Sequence, residues 1–444
     1  GLKREDLQSG KPIIGIAQSG SDLSPCNRHF QALSNVIKDG IREAGGVPME
    51  FPTHPIQETG KRPTAGLDRN LSYLSLVEVL YGYPIDGVIL TTGCDKTTPA
   101  ALMAAATVNI PSIVLSGGPM LDGTYKGKKA GSGTIIWEAR RLHAKGEISY
   151  EEFMDMAAAS APSIGHCNTM GTASSMNSIA EALGMSLTGG AIIPAPYKER
   201  ESISFKTGKR IVEMVHEDLT PSKIMTKKAF ENAIYVASAI GASSNCPPHL
   251  TAIARHMGID FGIDNWEKLG HDIPLLVNCQ PAGEHLMEGF FKAGGIPAIM
   301  QELMKNNKLH KDLMTVTGKT IAENLIEKID IDENIIKSFK NPLVNNAGFI
   351  VMKSNFFNSA VMKTSVISSE FRKRYLSNPT SLNLFEANAV VFEGPEDYHL
   401  RINDESLNID ENSILMIRGC GPVGYPGSAE VVNMQPPDKL LKQG

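Results

Sequence analysis

The stretch Asp86-Gly87-Val88-Ile89-Leu90-Thr91-Thr92-Gly93-Cys94-Asp95-Lys96, followed by the alanine-rich run from Ala100, decides the fold. Asp86 to Leu90 is apolar and β-branched and reads as a strand. Thr91 to Lys96 is a polar loop. Ala100 to Leu115 then reads as a buried helix, a turn and a strand. The same grammar recurs on both sides. Pro12 to Ala17 is a strand leading into Gln18-Ser19-Gly20-Ser21-Asp22, and Ile113 to Leu115 is a strand leading into Ser116-Gly117-Gly118-Pro119. Such alternation predicts an α/β fold with a parallel sheet and helices on both faces, a three-layer α/β/α domain. Ligands in such sheets collect beyond the carboxyl ends of the strands. Cys26 and Cys94 fall there.

Further along, Tyr150 to Leu187, Phe230 to Gly258 and Glu284 to Met304 follow helical patterns. The Met and Ala stripes from Met154 to Met185 read as helix core. Asp330 to Asn341 is largely polar and marks a boundary region. After about Phe357 the texture changes. Ala387 to Phe392 and Ser413 to Ile417 are short strand-like runs between turn-rich loops, and Leu440 to Gly444 closes a helix. The expected division is an N-terminal α/β domain over residues 1–345 and a C-terminal β-rich domain over 360–444, the latter incomplete at Gly444.

Composition excludes several classes. A net charge of −5 with scattered Lys and Arg gives no electrostatic footprint for nucleic acid or an anionic membrane. No apolar run reaches the roughly 18 residues of a membrane span. Six cysteines in 444 residues do not make a disulfide scaffold, and a reducing, cytoplasmic setting is expected. Cys246, Cys279 and Cys420 read as small buried hydrophobes. Gly318-Lys319-Thr320 imitates the tail of a phosphate loop, but Leu313 stands where its first glycine belongs.

The other three cysteines sit in polar, turn-forming loops: Ser21-Asp22-Leu23-Ser24-Pro25-Cys26-Asn27-Arg28, Gly93-Cys94-Asp95-Lys96-Thr97-Thr98-Pro99 and Gly165-His166-Cys167-Asn168-Thr169-Met170-Gly171. A thiolate in such a loop is able to reach a metal. Successive cysteines lie about 70 residues apart, a spacing that matches no zinc finger or ferredoxin run. Spacing alone leaves the question open.

These loops resemble the three cysteine loops of the family that unites dihydroxy-acid, phosphogluconate and sugar-acid dehydratases. The likeness extends to Leu115-Ser116-Gly117-Gly118-Pro119-Met120, Thr315-Val316-Thr317-Gly318-Lys319-Thr320 and Arg418-Gly419-Cys420-Gly421-Pro422-Val423-Gly424. Phe51-Pro52-Thr53-His54-Pro55 and Arg62-Pro63-Thr64-Ala65 through Leu71 resemble its aldonic-acid branch. The resemblance implies that the C-terminal domain is swivelling and β-barrel-like, and that Cys26, Cys94 and Cys167 ligate an iron–sulfur cluster, [2Fe–2S] in preference to [4Fe–4S]. It implies that Glu58, Asp95 and Glu430 ligate Mg2+, with Lys96 as a carbamylated fourth ligand. Three thiolates leave one cluster iron open as a Lewis acid for a departing hydroxide. Mg2+ prefers the hard oxygens of carboxylates and a carbamate.

The implied reaction is loss of water from an aldonic acid such as xylonate or gluconate, giving the 2-keto-3-deoxy acid. Asp95 and Lys96 would be the catalytic metal ligands. The base, a serine, is expected in sequence past Gly444. A homodimer or homotetramer and a small-molecule substrate are expected, with neither nucleic acid nor membrane as partner. The rival readings are a branched-chain dihydroxy-acid dehydratase and, in another class, an iron–sulfur electron carrier. A carrier predicts a fourth cysteine ligand and leaves Glu58, Asp95 and Lys96 unexplained.

Overall fold

Four parallel strands form the central sheet: β1 (Ile13–Gln18), β2 (Val47–Pro52), β3 (Gly87–Thr92) and β4 (Ser112–Ser116), in the order β2-β1-β3-β4. The computed structural model describes residues 3–56, 66–353, 359–380, 386–419 and 435–443. β3 and β4 are buried at every residue, as expected for parallel strands covered on both faces. After β1 the chain crosses to one side to make β2; after β3 it continues to the other side to make β4. The strand order therefore reverses between β1 and β3, and their carboxyl ends border the crevice where α/β sheets bind ligands. β2 escapes a strand pattern because two of its six residues are proline. An edge position tolerates them.

The helix Thr97–Val108 is apolar all round and lies in the interior, packed against Gly66–Gly82, Cys246–His256 and Thr172–Ala182. It ends at Asn109, whose left-handed backbone (φ 56°) breaks the helix before β4. On the other face of the sheet the helix Phe30–Glu43 buries Phe30, Leu33, Ile37, Gly40 and Ile41, a helical stripe. It crosses the helix Lys198–His216 at a pair of glycines. A Cβ on Gly40 would stand 2.2 Å from the Phe205 carbonyl oxygen, and one on Gly208 would stand 2.4 Å from that of Ile37.

Long helical stretches expected from pattern are broken by loops. Tyr150 to Leu187 is two helices, Tyr150–Ala159 and Thr172–Ala182, separated by the loop that carries Cys167. Phe230 to Gly258 is Lys227–Ala239 and Cys246–His256, parted at Gly241 with φ 63°. Glu284 to Met304 breaks at Gly294 and Gly295, with φ 113° and 59°. A positive φ is compatible with glycine but not with helix. Of the methionine stripe, Met156, Met170, Met176 and Met185 are core, whereas Met154 is exposed. The polar segment after Asp330 is bound to the N-terminal body: Ile336 bridges to Val277, and the Lys337 amide donates to the Leu276 carbonyl at 2.7 Å.

Among the described residues the C-terminal region contains two strand pairs. Phe349–Met352 and Ala360–Lys363 form an antiparallel hairpin that packs back on the first body. Its Phe349 meets Trp266 edge-on at 4.9 Å, and its Lys363 ammonium donates to the Gly241 carbonyl at 2.6 Å. Asn388–Phe392 and Ser413–Ile417 pair in parallel across the helix Pro395–Arg401, over a small core of Phe392, Tyr398 and Ile409. This is a separate β-containing unit, and among the described residues its strands do not close into the expected barrel.

Gly40→Ala should cost about 2 kcal/mol or more, because the methyl group meets a backbone carbonyl that moves only with its helix. Urea unfolding of the variant beside the parent measures this. An unchanged midpoint would show that the crossing is loose.

Candidate active site

Each of the three loop cysteines is followed by an Asn or Asp, and each of these side chains does structural work. The Asn27 carboxamide oxygen accepts from the Cys94 amide at 3.2 Å, joining the loop after β1 to the loop after β3. Their approach is close enough that a Cβ on Gly93 would stand 2.2 Å from that oxygen. Asn168, after Cys167, accepts from the Ser132 amide at 2.8 Å and donates to the Leu121 carbonyl at 2.9 Å. Asp95 accepts from the Lys96 amide at 2.8 Å and from the Cys94 thiol at 3.2 Å.

The third loop reaches the same end of the sheet through the segment after β4. His166 exchanges backbone hydrogen bonds with Gly118 and Met120, at 3.0 and 2.8 Å. The imidazole Nδ1 of His166 bonds the Cys167 carbonyl at 3.0 Å, a structural role, and Ser174 donates to the same oxygen at 3.2 Å. From the first loop, His29 Nε2 bonds the Gly117 carbonyl at 2.9 Å. Asn177 completes the frame. Its amide nitrogen donates to the Gly93 carbonyl at 3.1 Å, and its oxygen accepts from Thr92 and Thr98 at 2.9 and 3.1 Å. The backbones of all three cysteine loops are thus tied to one crevice.

Cys26 and Cys94 are buried and Cys167 is half-buried. Asp95 and Lys96 are buried, and the Lys96 ammonium stands 3.3 Å from the Asp95 carboxylate. Among the described residues no three His, Cys, Asp or Glu side chains stand at single-ion spacing. Glu58, Glu430 and Cys420 lie outside the described residues. Cys246 and Cys279 are buried thiols pushed up, to about 12 in the case of Cys246, chiefly by burial, as expected of core cysteines. Two fully buried donors beside Cys26, the Ser24 hydroxyl and the Asn27 amide nitrogen, have no partner among the described residues. Donors of this kind suit an anionic group such as a sulfide. The Cys-Asn and Cys-Asp pairs were visible in the sequence as a repeated signal. Asn177, Arg69 and His249 were not, because their partners are distant in the chain.

Three cysteine loops and a buried Asp-Lys pair thus meet at the switch point of a parallel sheet. The chain belongs to the dihydroxy-acid/6-phosphogluconate dehydratase family, whose N-terminal domain matches residues 11–324 and whose C-terminal domain matches residues 334–444. Its relatives are carbon–oxygen lyases. It is 61% identical to the D-xylonate dehydratase of Caulobacter vibrioides over all of this chain and 74% of that protein. It is 46% identical to the L-arabinonate dehydratase of Rhizobium leguminosarum over 99% of this chain and 74% of that one. The dihydroxy-acid dehydratase of Acetivibrio thermocellus matches at 35% over 98% and 76%. No helix among the described residues is long and apolar enough to cross a membrane.

Burial holds His29 down at about 4 and His249 at about 3. Both are neutral when folded, yet each takes a proton below about pH 6.5 once unfolded. Their contribution to stability is full above pH 6.5 and is lost as pH falls toward 4. The urea midpoint should fall from pH 7 to pH 5, and His29→Gln should flatten that slope. An identical slope in the variant would remove His29 from the account.

Proposed function

We propose that this chain dehydrates a five- or six-carbon aldonic acid, D-xylonate first among candidates, to the 2-keto-3-deoxy acid. The observation that carries this reading is the 61% identity to a D-xylonate dehydratase, against 35% to a branched-chain enzyme, across a chain that contains Cys94-Asp95-Lys96. In the reaction C2 loses a proton and C3 loses hydroxide. The resulting enol tautomerises to the ketone, and one water is released.

Cys26, Cys94 and Cys167 are the proposed ligands of an iron–sulfur cluster, of the [2Fe–2S] type. Glu58, Asp95, Glu430 and Lys96 as its carbamate are the proposed ligands of Mg2+. The unpartnered donors of Ser24 and Asn27 support the first set, and the buried Asp95 carboxylate beside Lys96 supports the second. When bound, the two groups supply a Lewis acid for the leaving hydroxyl and a positive charge that acidifies the C2 proton. The protein's own part is to hold three loops rigid through Asn27, Asn168 and Asn177, and to exclude water around Asp95 and Lys96. Burial strengthens each electrostatic contact made there. The base that takes the C2 proton is expected past Gly444. A reducing, cytoplasmic setting and a homo-oligomer fit the same reading.

Two assays test this. Full-length holoenzyme supplied separately with D-xylonate and 2,3-dihydroxyisovalerate should release keto acid from the first at the higher kcat/KM; turnover of the branched acid alone would overturn the substrate class. Cys94→Ser should lower bound iron and sulfide and abolish turnover. Full iron content in Cys26→Ser, Cys94→Ser and Cys167→Ser would remove the cysteines from the cluster.

A further inference from the structure

His249 is a buried imidazole that the reaction as derived above does not use. It lies in the first turn of the helix Cys246–His256, which packs along Thr97–Val108, the helix that begins directly after Asp95 and Lys96. The two helices run in the same direction. At their far ends Thr107 and Tyr73 both bond His256 Nδ1, at 3.0 and 3.4 Å. At their near ends Lys96 and Asp95 lie close enough to His249 to act on its charge. The imidazole therefore stands at the Asp95–Lys96 end of the bundle, inside the same water-excluded interior.

Its tautomer follows from its partner. Arg69 Nη1 approaches His249 Nδ1 at 3.0 Å. Guanidinium only donates, so Nδ1 is the acceptor and the ring proton sits on Nε2. That Nε2–H is buried and has no hydrogen-bond partner among the described residues. An unpaired buried donor is costly unless something arrives to accept from it. Arg69 also fixes the ring in the plane of this bond, so the donor is preset in direction as well as in protonation.

We propose that His249 is a substrate-binding residue of the dehydratase, its Nε2–H donating to an oxygen of the polyhydroxylated acid held beside Asp95 and Lys96. Arg69 is a positioning residue that acts through it. A neutral donor suits a substrate whose oxygens are hydroxyls and one carboxylate. It adds no charge beside Lys96 and competes for no metal. The inference rests on the dehydratase reading but not on which acid is the substrate.

Steady-state kinetics of the full-length holoenzyme test it, read on whichever of D-xylonate and 2,3-dihydroxyisovalerate the parent turns over. A wrong substrate class then sinks the earlier reading without touching this one. His249→Phe should raise KM about 10- to 100-fold, the loss expected for a donor to an anionic or strongly polar oxygen, with iron and magnesium contents at parental levels. His249→Gln, which restores an amide donor near the Nε2 position, should recover most of that loss. An unchanged KM in His249→Phe overturns the proposal. So does a loss of magnesium with KM intact, which would assign the ring to the metal ligands. Should His249→Phe fail to fold, Arg69→Met decides: it leaves the imidazole but removes the tautomer lock, and a raised KM supports the proposal while a parental KM overturns it.

Discussion

One buried carboxamide, that of Asn177, carries the geometry on which the site depends. It contacts the end of β3 at Thr92, the loop at Gly93 and the first turn of the next helix at Thr98. Each hydrogen bond contributes about 1 kcal/mol net, but a buried partner left unpaired costs about 1–3 kcal/mol. The asymmetry makes the amide hard to replace. It also accounts for the helix Thr172–Ala182, which is buried all round yet carries Ser174, Ser175, Asn177 and Ser178. Three of these side chains, Ser174, Ser175 and Asn177, meet loop backbone, whereas Ser178 donates to the Ser174 carbonyl of its own helix. Ser174 holds the Cys167 carbonyl and Ser175 accepts from the Ser243 amide.

The same economy governs the irregular stretch after that helix. Glu181 accepts from the amides of Gly189 and Ala191, at 2.7 and 2.9 Å. Arg200 donates to the carbonyls of Gly190 and Ile193, and to that of Ser116 at the end of β4. One buried carboxyl group thus accepts from two amides of a coil segment and one buried guanidinium donates to two of its carbonyls. Neither charge pairs directly with the other in these contacts. Burial raises Glu181 to about 7, so the carboxyl is poorly matched to its surroundings except through those amides.

Much of the first domain was legible in the sequence because buried parallel strands are apolar runs ended by Gly, Ser and Thr. β1, β3 and β4 follow that rule to within a residue or two. β2 does not, since prolines mask it. Helix breaks at Gly241 and Gly294 were missed because periodicity is blind to a φ change at one glycine. The cysteine loops were legible through their polar surroundings and the family likeness. The Arg69–His249 contact was not, for its partners are 180 residues apart and only the packing of three helices joins them. Of the C-terminal strands, Asn388–Phe392 and Ser413–Ile417 were legible and the pair Phe349–Met352 and Ala360–Lys363 was not; the parallel crossover between the former makes a β-α-β unit where the family resemblance implied a barrel.

The prolines of β2 have a further consequence. The amides of Val47 and Thr53 face β1, donating to Pro12 and Gln18. Alternate residues of a strand face opposite ways, so positions 48, 50 and 52 face outward from the sheet. Two of these three are proline and have no proton to give; the third, Glu50, is charged and ion-paired with Lys38. The outer rim of the sheet therefore offers a single backbone donor beside a carboxylate. It is a poor template for a strand from another molecule, so this edge of the folded sheet is blunted against edge-to-edge growth.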